Sequence, residues 1–152
     1  MNRERLHKLR TLMNAARSQK AQRRYAMRDF FLSPRFVFNG LPSPQMAEKF
    51  REDCDSTACI AGWAIILWRD QITPEAMAHI RGNAARRLRQ SPEGTHMIFE
   101  AASWLLDLPS EMATSLFYEC AWPHDFTSTL PPGLPMNKQM ARRITWMLRE
   151  GQ

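Results

Sequence analysis

Ala58-Cys59-Ile60-Ala61-Gly62-Trp63-Ala64-Ile65-Ile66-Leu67-Trp68 is an unbroken run of eleven apolar residues. A helix that is apolar all round has no solvent face and must be covered on every side. The run is longer than a usual strand, yet well short of the roughly 20 residues that cross a bilayer. Asp55, Ser56 and Thr57 stand just before it. These residue types accept hydrogen bonds from the orphan N–H groups of a helix's first turn. The run therefore reads as a buried central helix over about 56–69, the element the rest of the chain must wrap.

On its N-terminal side, Leu6, Leu9, Met13 and Ala16 recur at helical spacing and mark an amphipathic helix from Arg3 to Arg24. Tyr25 to Phe38 is rich in aromatic residues and is interrupted by Ser33-Pro34, which suits an irregular plug under the core. Asn39 to Pro44 is turn-rich, and Gln45 to Asp53 reads as a short helix. On the C-terminal side, Thr73-Pro74-Glu75 opens a helix that runs toward Gln90. Thr95 to Leu108 is a further buried helix, and Ser110 to about Cys120 a short one. Trp122 to Asp125 reads as irregular, and the prolines between Thr127 and Met136 mark a surface loop. Asn137 is placed to cap a final helix with the stripe Met140, Ile144, Met147 and Leu148. No stretch alternates β-branched and polar residues. The expectation is one all-α domain over residues 1–152, with about six helices around the central one.

Charge is unevenly distributed. Residues 1–35 hold ten bases and two acids, a balance of +8, whereas residues 36–152 hold eleven bases and thirteen acids, a balance of −2. A basic arm on a slightly acidic body points to an anionic partner or a docking surface. Three cysteines are an odd number, which argues against a secreted disulfide framework and for a cytoplasmic chain with reduced thiols. No apolar segment is long enough to span a membrane, and the first residues do not form a signal sequence. Ten Met and five Trp read as bulky core filling rather than as ligands of a cofactor.

Cys54-Asp-Ser-Thr-Ala-Cys59-Ile-Ala-Gly-Trp-Ala64 resembles the signature of a family of small uncharacterised helical proteins of bacteria, prophages and phages. That signature has two Cys separated by four residues, then Ile-Ala-Gly, then Trp or His, then Ala. Leu106-Asp-Leu108, Leu116-Phe117-Tyr118 and Trp122-Pro123 extend the similarity, which covers about residues 45–150. Asp55 stands where the signature usually has Gly, and the arginine-rich helix from Glu75 to Gln90 is a further departure. The resemblance implies a helical cytoplasmic protein carried by mobile elements. It brings no activity, catalytic residue or cofactor.

Three functional readings follow. The first is a non-enzymatic protein-binding factor that inhibits or redirects a host component, such as a defence complex. Its anchors would be Trp122, Arg81, Arg86 and Arg87, the residue types that dominate protein interfaces. The second is nucleic-acid binding through Arg10, Arg17, Lys20, Arg23 and Arg24, although no aromatic residues interleave these bases to stack on single strands. The third is a thiol enzyme. Cys59 would be the nucleophile in the first turn of the central helix, with His124 or His96 as base and Asp125 or Asn83 orienting it. Against it, Cys59 heads an apolar run, and Cys is among the most buried residue types. Cys54, Cys59, Cys120 and His124 could supply four zinc ligands in number, but the spacing departs from the common knuckle, so no metal site is assigned. There is no glycine-rich phosphate loop.

Overall fold

The computed structural model describes residues 1–27, 30–32, 40–53, 56–87 and 93–150. In chain order the elements are α1 (Arg3–Ala15), α2 (Gln19–Gln22), β1 (Phe31–Leu32), α3 (Pro44–Glu52), β2 (Thr57–Ala58), α4 (Ile60–Trp68), α5 (Pro74–Arg87), α6 (Glu93–Leu106), α7 (Ser110–Phe117), α8 (His124–Thr127) and α9 (Met136–Glu150). The fold is all-helical with almost no strand. It has more helices than expected, because the expected helix from Arg3 to Arg24 is split into α1 and α2 and the single-turn α8 occupies a segment that read as irregular.

The apolar run is divided. Ile60–Trp68 is α4, buried along its length apart from half-buried Leu67. Thr57–Ala58 is instead extended, pairing antiparallel with β1 so that Phe31 faces Ala58 and Leu32 faces Thr57. The backbone of Ala58 is also engaged by the chain after α2. Its N–H donates to the Arg24 carbonyl at 3.0 Å, and its carbonyl accepts from the Ala26 N–H at 3.2 Å. Those bonds are incompatible with helical backbone, so the central helix starts at 60 rather than 56. Cys59 becomes its N-cap, with extended backbone and no capping side chain.

α4 packs chiefly on α6 and α3, and α5 packs on α6. Trp63 fixes the aromatic side of the core, with its ring centroid 5.4 Å from that of Tyr25 and 6.5 Å from that of Phe50. Its indole N–H donates to the Arg24 carbonyl at 3.1 Å. Tyr25, Met27 and Phe50 are buried within the same connected core as α4. The rest of the expected aromatic plug, including Phe36 and Phe38, lies outside the described residues.

The start signals behave as local physics requires. The side chains of Asn2, Ser18, Ser43 and Thr73 accept from the backbone N–H groups of Arg5, Ala21, Met46 and Ala76. The stops differ more. The expected helix from Arg3 to Arg24 ends at Ala15 and resumes for one turn at Gln19. α6 ends at Leu106 and is followed by Asp107, a non-glycine residue in the left-handed region (φ 50°). Leu108 N–H bonds back to the Ser103 carbonyl and Asp107 N–H to that of Trp104, which is a Schellman stop placed before Pro109.

Asn137 is not the cap of the last helix. It lies within α9, fully buried, and its amide donates to the carbonyls of Met13 (2.7 Å) and Ala16 (3.2 Å). The ammonium of Lys138 donates to the Asn14 carbonyl at 2.7 Å. At the other end of the pair, Arg3 donates to the Leu148 carbonyl at 3.1 Å. α1 and α9 therefore run antiparallel, and theirs is the most extensive helix contact in the fold.

Candidate functional site

A helix's last carbonyls have no partner within the helix, and cations near them also meet the negative end of its dipole. Much of the chain's basic side-chain inventory serves this purpose. Arg5 donates to Leu105 at the end of α6 (2.6 Å) and also to the Gln71 side chain, with its guanidinium over the Trp68 ring at 5.4 Å. Arg24 donates to Arg51 at the end of α3 (2.8 Å) and lies 4.8 Å over the Trp63 ring. Arg143 donates to Ser115 in the last turns of α7, to both its carbonyl (3.2 Å) and its hydroxyl. That guanidinium is 1% exposed, lies over Phe126 and Trp146, and burial lowers its pKa to about 10. Arg3 and Lys138 do the same for α9 and α1. Cations that the sequence offers to an external anion are thus partly tied to helix ends.

The thiol constellation is not assembled as an exposed site. Cys59 is 1% exposed, whereas His124 and Asp125 are exposed on α8. His96 is half-buried on α6, and the Asn83 amide contacts His79 at 3.1 Å. The Cys59 thiol and the His124 imidazole thus lie in opposite environments, the core and the solvent. Tyr118, near Cys59, has its phenol pKa raised by burial first, then by the two thiols, against the lowering effect of Arg87. Among the described residues no group of three or more His, Cys, Asp or Glu converges to hold a metal. Cys54 lies outside them.

Of the expected protein anchors, Trp122 is buried (7% exposed), with its indole directed to the Leu116 carbonyl. Arg87 is spoken for: it pairs with Glu100 at 2.5 Å, donates to the Ser110 hydroxyl and lies 4.6 Å over Phe99. Arg81 and Arg86 are exposed on α5. Between α5 and α6 runs a groove with two lobes of about 400 and 410 Å³ that share Asn83, Glu100, Ser103 and Leu108. Arg86 lines one lobe and Trp104 the other. Trp104 is 38% exposed, the one large apolar side chain classed as exposed among the described residues. A third hollow, of about 380 Å³, mixes both signs: Lys8, Arg51 and Arg69 with Glu48 and Asp70.

The cations not tied to helix ends, together with Arg3 and Lys138, define a different surface. On α1, Arg3, His7, Arg10 and Asn14 recur at spacings of four and three. On α9, Lys138, Arg142, Thr145 and Arg149 do likewise, so each set forms one helical row. The buried faces fix where these rows point. α1 turns Leu6, Leu9 and Met13 to the core, and α9 turns Met140, Ile144 and Met147. The bonds from Arg3 to Leu148 and from Lys138 to Asn14 place both rows beside the shared seam. Arg17 follows at the end of α1 and is exposed. Neither row contains an acid, since Glu4 and Glu150 lie elsewhere around their helices. Among the described residues Arg10, Arg142 and Arg149 form no ion pair. Sequence reading supplied Arg10 and Arg17 but missed the α9 half. Lys20 and Arg23 are exposed beyond the α1 end of this surface, and Arg24 is withdrawn to its ring and its carbonyl.

No known family model, curated protein or solved structure matches the chain. No helix among the described residues is long and apolar enough to cross a membrane.

Proposed function

We propose that the protein is a non-enzymatic binder of polyanions, and that its ligand is the phosphate backbone of nucleic acid. The observation that carries this reading is the acid-free pair of cationic rows along the α1–α9 seam. Lys and Arg on such a surface displace condensed counterions from a phosphate backbone, a sequence-independent source of affinity that weakens steeply with salt. A surface that merely kept the chain soluble would intersperse both signs, as the hollow lined by Lys8, Glu48, Arg51 and Asp70 does. The role belongs in the cytoplasm, where a polyanionic nucleic acid is at hand. The test is fluorescence anisotropy of a labelled oligonucleotide titrated with protein between 50 and about 300 mM NaCl. Affinity should fall log-linearly with salt, and neutralising Arg10 and Arg142 together should flatten that slope. Affinity that ignores salt would overturn the reading.

A second reading, a protein partner, is favoured by Trp104. A tryptophan beside an arginine-lined groove has the composition of an interface hot spot. On this reading the chain is a mobile-element factor that redirects a host component, with Trp104, Arg81 and Arg86 as the anchors. Trp104→Ala should then abolish co-purification of one stoichiometric partner while leaving the fold intact.

A further inference from the structure

Resting on the polyanion reading, we infer that the α1–α9 surface grips the two strands of one DNA duplex across a groove, one row of cations to each strand. The argument comes from dimensions and from what the rows lack. Arg3 to Asn14 and Lys138 to Arg149 each span eleven residue steps, about 17 Å at the helical rise. A strand winds around the duplex as it advances about 3.4 Å along the axis per phosphate, so a straight row of this length reaches about two or three successive phosphates of one strand. The axes of packed helices are about 8–10 Å apart. That lies between the widths of the minor groove, about 6 Å, and the major groove, about 12 Å. Long arginine side chains cover the difference.

A single strand fits this surface poorly. Single-strand binders stack bases on aromatic side chains, and the rows hold only Arg, Lys, His, Asn and Thr. Sequence readout is also unsupported, because neither helix projects from the body to enter a groove. Both are packed against each other and the core. The rows touch backbone, and binding is the same for any duplex sequence. With Arg17 included, the surface carries six permanent cations: Arg3, Arg10, Arg17, Lys138, Arg142 and Arg149. This sets a ceiling of about five on the log–log salt slope.

The experiment compares a 20-base-pair DNA duplex with one of its strands alone, by anisotropy at 100 mM NaCl. Heparin and poly-glutamate serve as unlabelled competitors. Two double variants weaken one side each without touching a helix cap: R10Q/R17Q for the α1 side and R142Q/R149Q for the α9 side. Circular dichroism checks that both remain helical. The duplex should bind at least tenfold tighter than the strand. Each variant should weaken the duplex at least tenfold and to a similar degree, and a second duplex of unrelated sequence should bind within twofold. Equal affinity for strand and duplex overturns the two-strand grip, as does a row whose removal changes nothing. Binding to heparin without binding to duplex also overturns it while leaving the polyanion reading intact. Competition by poly-glutamate as effective as that by heparin assigns the surface to an acidic protein and overturns the inference. Failure to bind any of the polyanions overturns both.

Discussion

A Cβ built on Gly62 falls 2.0 Å from the carbonyl oxygen of Phe30 and 2.8 Å from the Cβ of Ala58. The first contact is with backbone, so no side-chain rotation relieves it. The segment that pairs with Ala58 lies directly across the first turn of α4, and only a residue without a side chain permits that approach. Glycine inside a helix costs about 1 kcal/mol relative to alanine. Here the cost is offset by bringing an extended segment against the helix.

Gly62→Ala should therefore destabilise the fold by about 1–3 kcal/mol, the usual scale of overpacking. Gly82→Ala, at a helical position with nothing within 4 Å of the added carbon, should stabilise it by about 0.5–1 kcal/mol. Urea melts of the two variants give the comparison. A Gly62→Ala protein as stable as Gly82→Ala would refute the close approach.

Asn137 closes the end of α1 through two buried bonds from one amide. Its removal by Asn137→Ala strands carbonyls away from water, at a cost of about 1–3 kcal/mol. Asn137→Asp should be worse at neutral pH, because a carboxylate cannot donate to those carbonyls and is itself buried. The order native, Ala, Asp in chemical denaturation midpoint is the expected result, and an Asp variant equal to native would contradict it.

The chain's two tyrosines both have phenol pKa values raised chiefly by burial, above the ordinary value of 10. A raised tyrosine pKa favours the protonated native state. Its stabilising effect is therefore whole below pH 10 and is lost as pH climbs through the native value. Phenolate absorbance at 295 nm should stay low past pH 10 and rise together with loss of helical signal. Ionisation of both tyrosines at pH 10 in folded protein would be inconsistent with their placement.

Cys59 is sealed in the core whereas Cys120 is exposed. Brief alkylation of native protein with iodoacetamide at pH 8, read by peptide mass spectrometry, should modify Cys120 well before Cys59. Equal rates would reopen the thiol-enzyme reading.

The apolar run announced its own burial, and Thr73 announced a helix start, because these signals are local: periodicity and side chains within three residues. Where the central helix begins was not local. Ala58 has apolar helix-compatible neighbours, and its extended state is imposed by Arg24, Ala26 and Phe31, which are distant in sequence. The same holds for Asn137, whose residue type suggests a cap. It does serve a helix terminus, but that terminus belongs to α1. The cationic surface was half legible. The excess of bases in residues 1–35 was visible, but the four bases of α9, three outside its interior (Lys138, Arg142, Arg149) and one inside it (Arg143), belong to residues 36–152, where acids outnumber bases. Net charge by segment cannot reveal a row whose compensating acids lie on other faces. Trp122 and Trp104 are alike in composition terms, and only packing shows that Trp122 is buried while Trp104 is exposed.

The pairing of α1 with α9 also bears on how the chain is made. α1 is synthesised well before α9, the helix that supplies its broadest packing surface. Until then Leu6, Leu9 and Met13 lack their main cover, and a helix of thirteen residues is marginal alone in water. Closure of this long-range contact is consequently a late event, and slowed or interrupted translation would leave an adhesive helix for chaperones to shield.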